Sequence, residues 1–243
     1  MKKDGEEPGL KPVYIEAFDL DDAWFRCLDA ILDKGTVYTI TRGSYKGQKR
    51  LEFDFVTVRV KKPAHQIIPI MPEGLNIPAP TDMDYVNGYL QYLLTGTKTD
   101  TEDYTYGERL VDPKVPFSDM PLNVNQVEEV IRIYKKEGFG TNQAVMEIGM
   151  PSDIKLNDPP CLRLIDTRVR YGKLHFMPYF RSWDLWGGFP SNLGGLQLVK
   201  QYMAEEIGVE DGEIIAMSKG LHLYDYTWEW AKARTKKFEK EIK

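Results

Sequence analysis

Residues 161–182 read CLRLIDTRVR-YG-KLHFMPYFRS, two strand-like runs on either side of Tyr171-Gly172. A two-residue connection of this composition suits a β-hairpin, so Cys161–Arg170 and Lys173–Ser182 are expected to pair antiparallel. Parallel sheets built from regular strand–helix alternation do not contain such a hairpin. The chain is therefore expected to carry a mixed sheet.

Working outward, the residues after the hairpin predict a helix from about Asn192 to Ile207, with Leu193, Leu196, Val199, Met203 and Ile207 on one side and Gly208 as its terminator. Glu213–Met217 reads as a short strand, and a last helix is expected from Tyr226 to about Lys240, its Lys-rich end suited to the negative pole of the helix dipole. Upstream, Ala144–Ile148 reads as a strand. Asn125–Glu137 carries Val127, Val130, Ile131 and Tyr134 at helical spacing and stops at Gly138. Leu20–Asp33 is a core-facing helix with Asp19 as cap and Gly35 beyond its end; Cys27 lies on its apolar stripe and reads as a small buried hydrophobe. Leu51, Phe53 and Phe55 alternate with polar residues, and the same strand is expected to run on through Val58 and Val60. The prolines in 67–80 and the Gly, Pro, Thr and Asp content of 95–121 predict long surface loops, candidate walls of a pocket. The pattern predicts an α/β (α+β) fold, helices packed on a mixed sheet. It forms one domain over 16–243, preceded by a flexible charged arm over 1–15.

Bulk composition narrows the function. Of 243 residues, 42% are apolar and 28% charged, and no run approaches a membrane span, which predicts a soluble, cytoplasmic protein. A net charge of −5 argues against sequence-independent nucleic-acid binding, which needs a cationic surface, but leaves room for a small anion held by a few arginines. Two cysteines and three histidines, all far apart, offer no metal-ligand spacing and no disulfide framework. No metal is expected.

The densest polar and glycine-containing cluster in an apolar setting is Arg181-Ser-Trp-Asp184-Leu-Trp-Gly-Gly188-Phe-Pro-Ser-Asn192, between a strand end and a helix start. Helix-start N–H groups and a guanidinium both favour a phosphate, and Gly188 allows close backbone approach. The bland reading of the same residues is a helix capped by Asn192 and a surface pair between Arg181 and Asp184.

In Pro160-Cys161, Arg181-Ser182-x-Asp184, Gly188-x-Pro190-x-Asn192 and His222-x-Tyr224, in this order and spacing, the chain resembles the thymidylate synthase family. Tyr106-Gly107 and Arg42 extend the resemblance upstream, and Asp158-Pro-Pro-Cys-Leu162 looks like its archaeal branch. The resemblance implies that Cys161 attacks C6 of a uridylate ring. C5 then takes a one-carbon unit from 5,10-methylenetetrahydrofolate or methylenetetrahydromethanopterin. It implies that Arg181 lowers the thiol pKa and, with Ser182 and Arg42, holds the phosphate of a pyrimidine nucleoside monophosphate. Asn192 would read the N3 and O4 edge of the base, His222 and Tyr224 the sugar hydroxyl. Asp184 would contact base and pterin, and Tyr106 would serve removal of the C5 proton. Gly188 belongs to the same substrate-binding motif. A homodimer packed sheet to sheet is also implied.

The match departs from the family in four places. Thr141-Asn142-Gln143 stands where a partner subunit usually supplies two arginines, and Leu162 and Phe180 replace a histidine and a glutamine. The segment that usually closes over the pterin is not expected after the His222 strand. The catalytic glutamate has no clear counterpart beyond Glu73. The expected activity is thymidylate synthase. A pyrimidine nucleotide 5-hydroxymethylase acting on dCMP, CMP or dUMP, in which water captures the exocyclic methylene, is the first alternative. A non-catalytic nucleotide-binding protein is the second.

Overall fold

The computed structural model describes residues 9–116, 118 and 120–242. The hairpin that decides the fold is present: Tyr171 and Gly172 both take positive φ (55° and 71°), and β6 (Leu162–Arg170) pairs antiparallel with β7 (Lys173–Phe180). Two left-handed residues in sequence give the turn the twist of the strands it joins.

Around this hairpin, β1 (Pro12–Ala17), β4 (Phe55–Val60), β9 (Glu210–Ser218) and β5 (Val145–Glu147) complete a six-stranded sheet in the order β1-β4-β9-β7-β6-β5. It is mixed as expected, parallel at β1/β4 and β7/β9 and antiparallel elsewhere. Four shorter strands form a second sheet: β2 (Thr36–Thr39), β3 (Lys49–Glu52), β10 (Leu221–Tyr224) and β8 (Trp183–Asp184), in the order β2-β3-β10-β8. Helices α1 (Leu20–Lys34) and α5 (Gly188–Ile207) cover one face of the large sheet. The remaining helices are α2 (Met83–Leu93), α3 (Tyr106–Val111), α4 (Gln126–Glu137) and α6 (Trp228–Thr235). No helix among the described residues is long and apolar enough to cross a membrane.

Several expectations need correction. The arm expected over 1–15 is strand from Pro12 onward; it alternates exposed and buried side chains and lies parallel to β4. Residues 1–8 lie outside the described residues. The strand expected to run from Leu51 to Val60 is two strands in different sheets. At Phe53 the backbone N–H donates to Leu221 O, still in the small sheet, and from Phe55 the chain pairs with β1 in the large one. The 95–121 loop contains α3, started by Thr105, whose hydroxyl accepts from the Glu108 N–H. The last helix is shorter than Tyr226–Lys240, because Lys236 turns left-handed (φ 60°) and ends it.

The helix expected from Asn192 begins four residues earlier. The Asp184 carboxylate accepts the N–H groups of Trp186, Gly187 and Gly188 at 3.2, 3.0 and 2.9 Å, satisfying donors that a helix start leaves unpaired. Trp24 on α1 locks this junction by donating its indole N–H to Leu185 O and Trp186 O at 3.0 and 3.1 Å.

Candidate active site

Cys161 sits half-buried at the end of the Pro159-Pro160 segment, immediately before β6. The guanidinium of Arg181, at the end of the hairpin's other arm, donates through Nε to the carbonyls of Pro159 and Pro160 (3.2 Å each) and through an Nη to Pro159. The Arg181 N–H also donates to Cys161 O at 2.8 Å. The surface pair of Arg181 with Asp184 is thus not made; the arginine clamps the loop that carries Cys161.

The same loop carries the Arg42 segment. Arg42 Nη2 donates to Leu156 O at 2.7 Å, and the Ser44 N–H and hydroxyl both donate to the Asp158 carboxylate. Gly43 (φ 91°) passes so close that a Cβ there would lie 2.7 Å from Asp158 Oδ1. Two arginines far apart in sequence therefore hang on residues 156–160.

The anion site expected at the start of the following helix is not free, because its N–H groups are held by Asp184. Asn192, one turn into α5, accepts from Trp183 Nε1 at 3.1 Å and donates to the Tyr89 hydroxyl at 2.9 Å. It is not the cap. An indole N–H can only donate, so the amide oxygen must face Trp183 and the orientation of the side chain is fixed, leaving one lone pair and one N–H for a ligand.

On β10, His222 is 2% exposed and its Nδ1 donates to Gly220 O at 2.8 Å. Its Nε2 is buried with no partner among the described residues. Burial pushes the imidazole down to about 4, with Arg50 and Arg181 also lowering it against the Gly220 bond and Asp184. It is neutral at physiological pH, and Nε2 can only accept. Tyr224 follows on the same side, its ring 4.6 Å from His222 and stacked on Tyr45 at 4.5 Å.

Tyr106 opens α3, and its hydroxyl accepts from the Leu162 N–H, next to Cys161, at 3.2 Å. Burial holds its phenol far above the ordinary range, so it stays protonated. It lines a cavity of about 590 Å³ with Tyr85, Tyr89, Tyr92, Tyr104 and Asn192. The structure thus gathers Cys161, Arg181, Tyr106 and Asn192 through direct or one-residue links. Ser182 and Gly188 follow on the same junction. Glu73 is exposed in the 67–80 loop and has no bond to any of them.

The tyrosines at 85, 89 and 92 were missed from sequence. Their helical spacing and the Asp82 cap, which accepts from the Tyr85 N–H at 2.7 Å, were the available signal. The Cys161 thiol lies under opposing influences. Burial pushes it above its ordinary range and Asp158 adds to this; Arg181 and Arg163 pull it down without prevailing. Among the described residues no group of three or more His, Cys, Asp and Glu could hold a metal ion.

Residues 89–242, from α2 to beyond α6, match the family model described as thymidylate synthase. The chain belongs to the thymidylate synthase family. Over 217 residues it is 33% identical to a protein of Methanosarcina mazei provisionally named thymidylate synthase, covering 88% of this chain and 91% of the relative. A similarly named protein of Methanococcoides burtonii is 31% identical over 230 residues, covering 94% of each. A deoxyuridylate hydroxymethyltransferase of Bacillus phage SP01 is 35% identical over 107 residues, 41% of this chain and 28% of the relative. Family membership makes the chain a one-carbon-transferring enzyme that uses a folate-type donor and a pyrimidine nucleotide, which sets aside a purely binding role.

Proposed function

We propose that the chain is a thymidylate synthase that reductively methylates dUMP to dTMP. The observation that carries this reading is the pinned amide of Asn192. Flipping it to serve the reversed donor–acceptor pattern of cytosine would break the Trp183 bond, so one base is served and not both. In the family an asparagine at this position accompanies uracil, where it accepts from N3–H and donates to O4.

In this reading the Cys161 sulfur bonds to C6 and the C5=C6 electron pair moves toward O4, making C5 nucleophilic. Once C5 has taken the one-carbon unit, its proton leaves to a water that the protonated Tyr106 phenol, hydrogen-bonded beside Cys161, orients. Expulsion of the thiolate then restores Cys161. His222 Nε2, a buried acceptor with no partner among the described residues, suits a sugar hydroxyl with Tyr224 alongside. Arg181, Ser182 and Arg42 take the phosphate. The flat faces of Tyr85, Tyr89 and Tyr92 suit a pterin, which would supply the one-carbon unit and hydride when bound.

The face of the large sheet turned away from the helices leaves Phe55, Leu164, Met177, Tyr179, Ile215 and Met217 half-buried, and it supports a homodimer packed sheet to sheet. Sedimentation as a monomer at micromolar concentration would count against it.

The phage relative favours a second reading, 5-hydroxymethylation, because its name gives that activity on deoxyuridylate. One experiment separates them. Purified protein is incubated with dUMP, dCMP, UMP or CMP, each with a methylene-loaded reduced pterin, and the products are weighed. The expected result is a methyl group on dUMP with oxidation of the pterin to its dihydro form. A CH2OH product without that oxidation selects the hydroxymethylase, and a preference for a cytidylate refutes the Asn192 argument.

A further inference from the structure

Asp153, in the short 3-10 turn Pro151–Lys155, is a carboxylate 1% exposed between two elements of the active site. Its Oδ1 accepts from Arg109 Nη2 at 3.0 Å, and its Oδ2 accepts from Arg163 Nη1 at 3.1 Å and from the Met150 N–H at 2.7 Å. Arg109 stands three residues after Tyr106 on α3, one turn along the same helix. Arg163 stands two residues after Cys161 on β6. One buried carboxylate thus joins the helix of the phenol to the strand of the thiol.

Both arms of this bridge are held in place. Arg163 also donates to Met150 O at 3.4 Å and Pro160 O at 3.5 Å. Its guanidinium fills the space over Gly149, where a Cβ would lie 2.3 Å from Nη2 and 2.4 Å from Cζ. Arg109 is shielded from water, which strengthens its attraction to Asp153. The start of α3 is pressed against the end of α2: the Tyr106 N–H donates to the Tyr92 hydroxyl at 3.2 Å, and a Cβ on Gly107 would overlap the carbonyl oxygens of Tyr92 and Thr95. Across the gap, the direct link is the Leu162 N–H donating to the Tyr106 hydroxyl at 3.2 Å, a neutral bond at the long end of its range. Charge-assisted bonds are roughly twice as strong as neutral ones. The ion bridge therefore sets the separation of helix and strand, and the neutral bond follows it.

We propose that Asp153 is a positioning residue for the one-carbon transfer: through Arg109 and Arg163 it fixes the Tyr106 hydroxyl on the Leu162 N–H and holds a guanidinium against the segment that carries Cys161. It touches no reacting atom. The inference rests on the roles given above to Cys161 and Tyr106, and it is the same for a methyl and a hydroxymethyl product. Arg163 is one of the two cations that draw the Cys161 thiol down against burial, which makes its arm the electrostatic one.

Two variants test the two arms. Arg109→Met cuts the helix arm and leaves Asp153 paired with Arg163, so no buried charge is stranded. Arg163→Met, at a side chain 26% exposed, cuts the strand arm. Hydrogen exchange of the Leu162 amide, followed by NMR on the whole protein without substrate, is expected to quicken at least about fivefold in each. In turnover, Arg109→Met is expected to lower kcat at least about fivefold with the nucleotide KM within about twofold. Added to Tyr106→Phe it should cost less than about twofold more, because the hydroxyl it positions is already gone. Alkylation of Cys161 by iodoacetamide separates the arms: Arg109→Met leaves its pH profile in place, and Arg163→Met moves the profile to higher pH by removing a nearby cation. Thermal melts check folding, and if Arg109→Met does not fold, Arg163→Met decides by exchange and alkylation. Unchanged Leu162 exchange in a folded variant, or full additivity with Tyr106→Phe, overturns the proposal. The exchange reading needs no substrate, so a wild type inactive on every nucleotide would sink the function proposed above and leave this test standing.

Discussion

The two thiols of this chain present the same chemistry in two surroundings. Cys27 is fully buried on α1 among Trp24, Leu28 and Ile31, and burial alone pushes its thiol far upward. Burial also dominates at Cys161, but there Arg181 and Arg163 oppose it, and the sulfur's neighbours include a protonated phenol and a clamped loop. Burial raises both thiols, and it is only at Cys161, the less buried of the two, that charged groups oppose it. The difference lies in whether charged and hydrogen-bonding groups stand by to stabilise the thiolate when it forms.

The largest test of this contrast is Cys161→Ser. Turnover should fall by more than about 10³-fold while nucleotide affinity stays within about tenfold, because a hydroxyl at neutral pH is a far weaker nucleophile than a thiolate. Single-turnover kinetics and equilibrium binding read the two quantities, and full activity would remove the covalent mechanism.

Arg181→Lys should come next. A lysine cannot span the Pro159 and Pro160 carbonyls with a planar fork, so the loop loosens and the cation moves from the sulfur. With the thiol already raised, the thiolate fraction increases with pH through the region above the ordinary value of about 8.5. Loss of the guanidinium moves that rise higher still. Alkylation of Cys161 by iodoacetamide at pH 7.5 should slow by roughly tenfold, since one pKa unit is a factor of ten in thiolate. An unchanged rate, or equally fast alkylation of Cys27 in the native protein, would break the comparison.

How these surroundings arise was partly legible in the sequence. Tyr171-Gly172 announces its hairpin because turn chemistry is local, and the junction from Arg181 to Asn192 stands out by residue type alone. What could not be read depends on partners distant in the chain. Alternation from Leu51 to Val60 changes phase between Phe55 and Val56, a sign of a break, yet period two says nothing about which sheet a residue joins, and the crossing at Phe53 is set by Leu221. That the Asp184 carboxylate also caps α5 is likewise a matter of geometry that its residue type does not announce. The charged residues Glu108 and Arg109 read as solvated surface, and only the packing of α3 against the 151–155 turn buries them. The desolvation of Cys161 is of the same kind.

Tyr106→Phe sharpens the contrast at smaller scale. The variant removes the oxygen that accepts the Leu162 N–H and the proton that the phenol can donate, but leaves ring packing intact. kcat should fall by about tenfold to a hundredfold, the range for a group that assists proton transfer, with KM little changed. A fall in affinity without a fall in kcat would make the residue part of the binding wall instead.

Cys27→Ser is the smallest expected effect on catalysis and the control for all of these. Cys27 lies on the apolar stripe of α1, whose Trp24 holds the 185–186 segment next to Asp184, so damage here could in principle reach the site. The serine hydroxyl is of similar size, and on a helix it can bond back to a preceding carbonyl, which moderates the penalty. What remains is the cost of burying a polar group among hydrocarbon, about 1–3 kcal/mol. For a chain of this size that corresponds to a drop in Tm of roughly 2–10 °C. kcat measured well below the new Tm should stay within about threefold, because Trp24 and its two bonds are untouched. Loss of stability with retained turnover marks Cys27 as core. Loss of turnover at an unchanged Tm would show that the α1 face transmits to Asp184, and that the two cysteines belong to one functional unit.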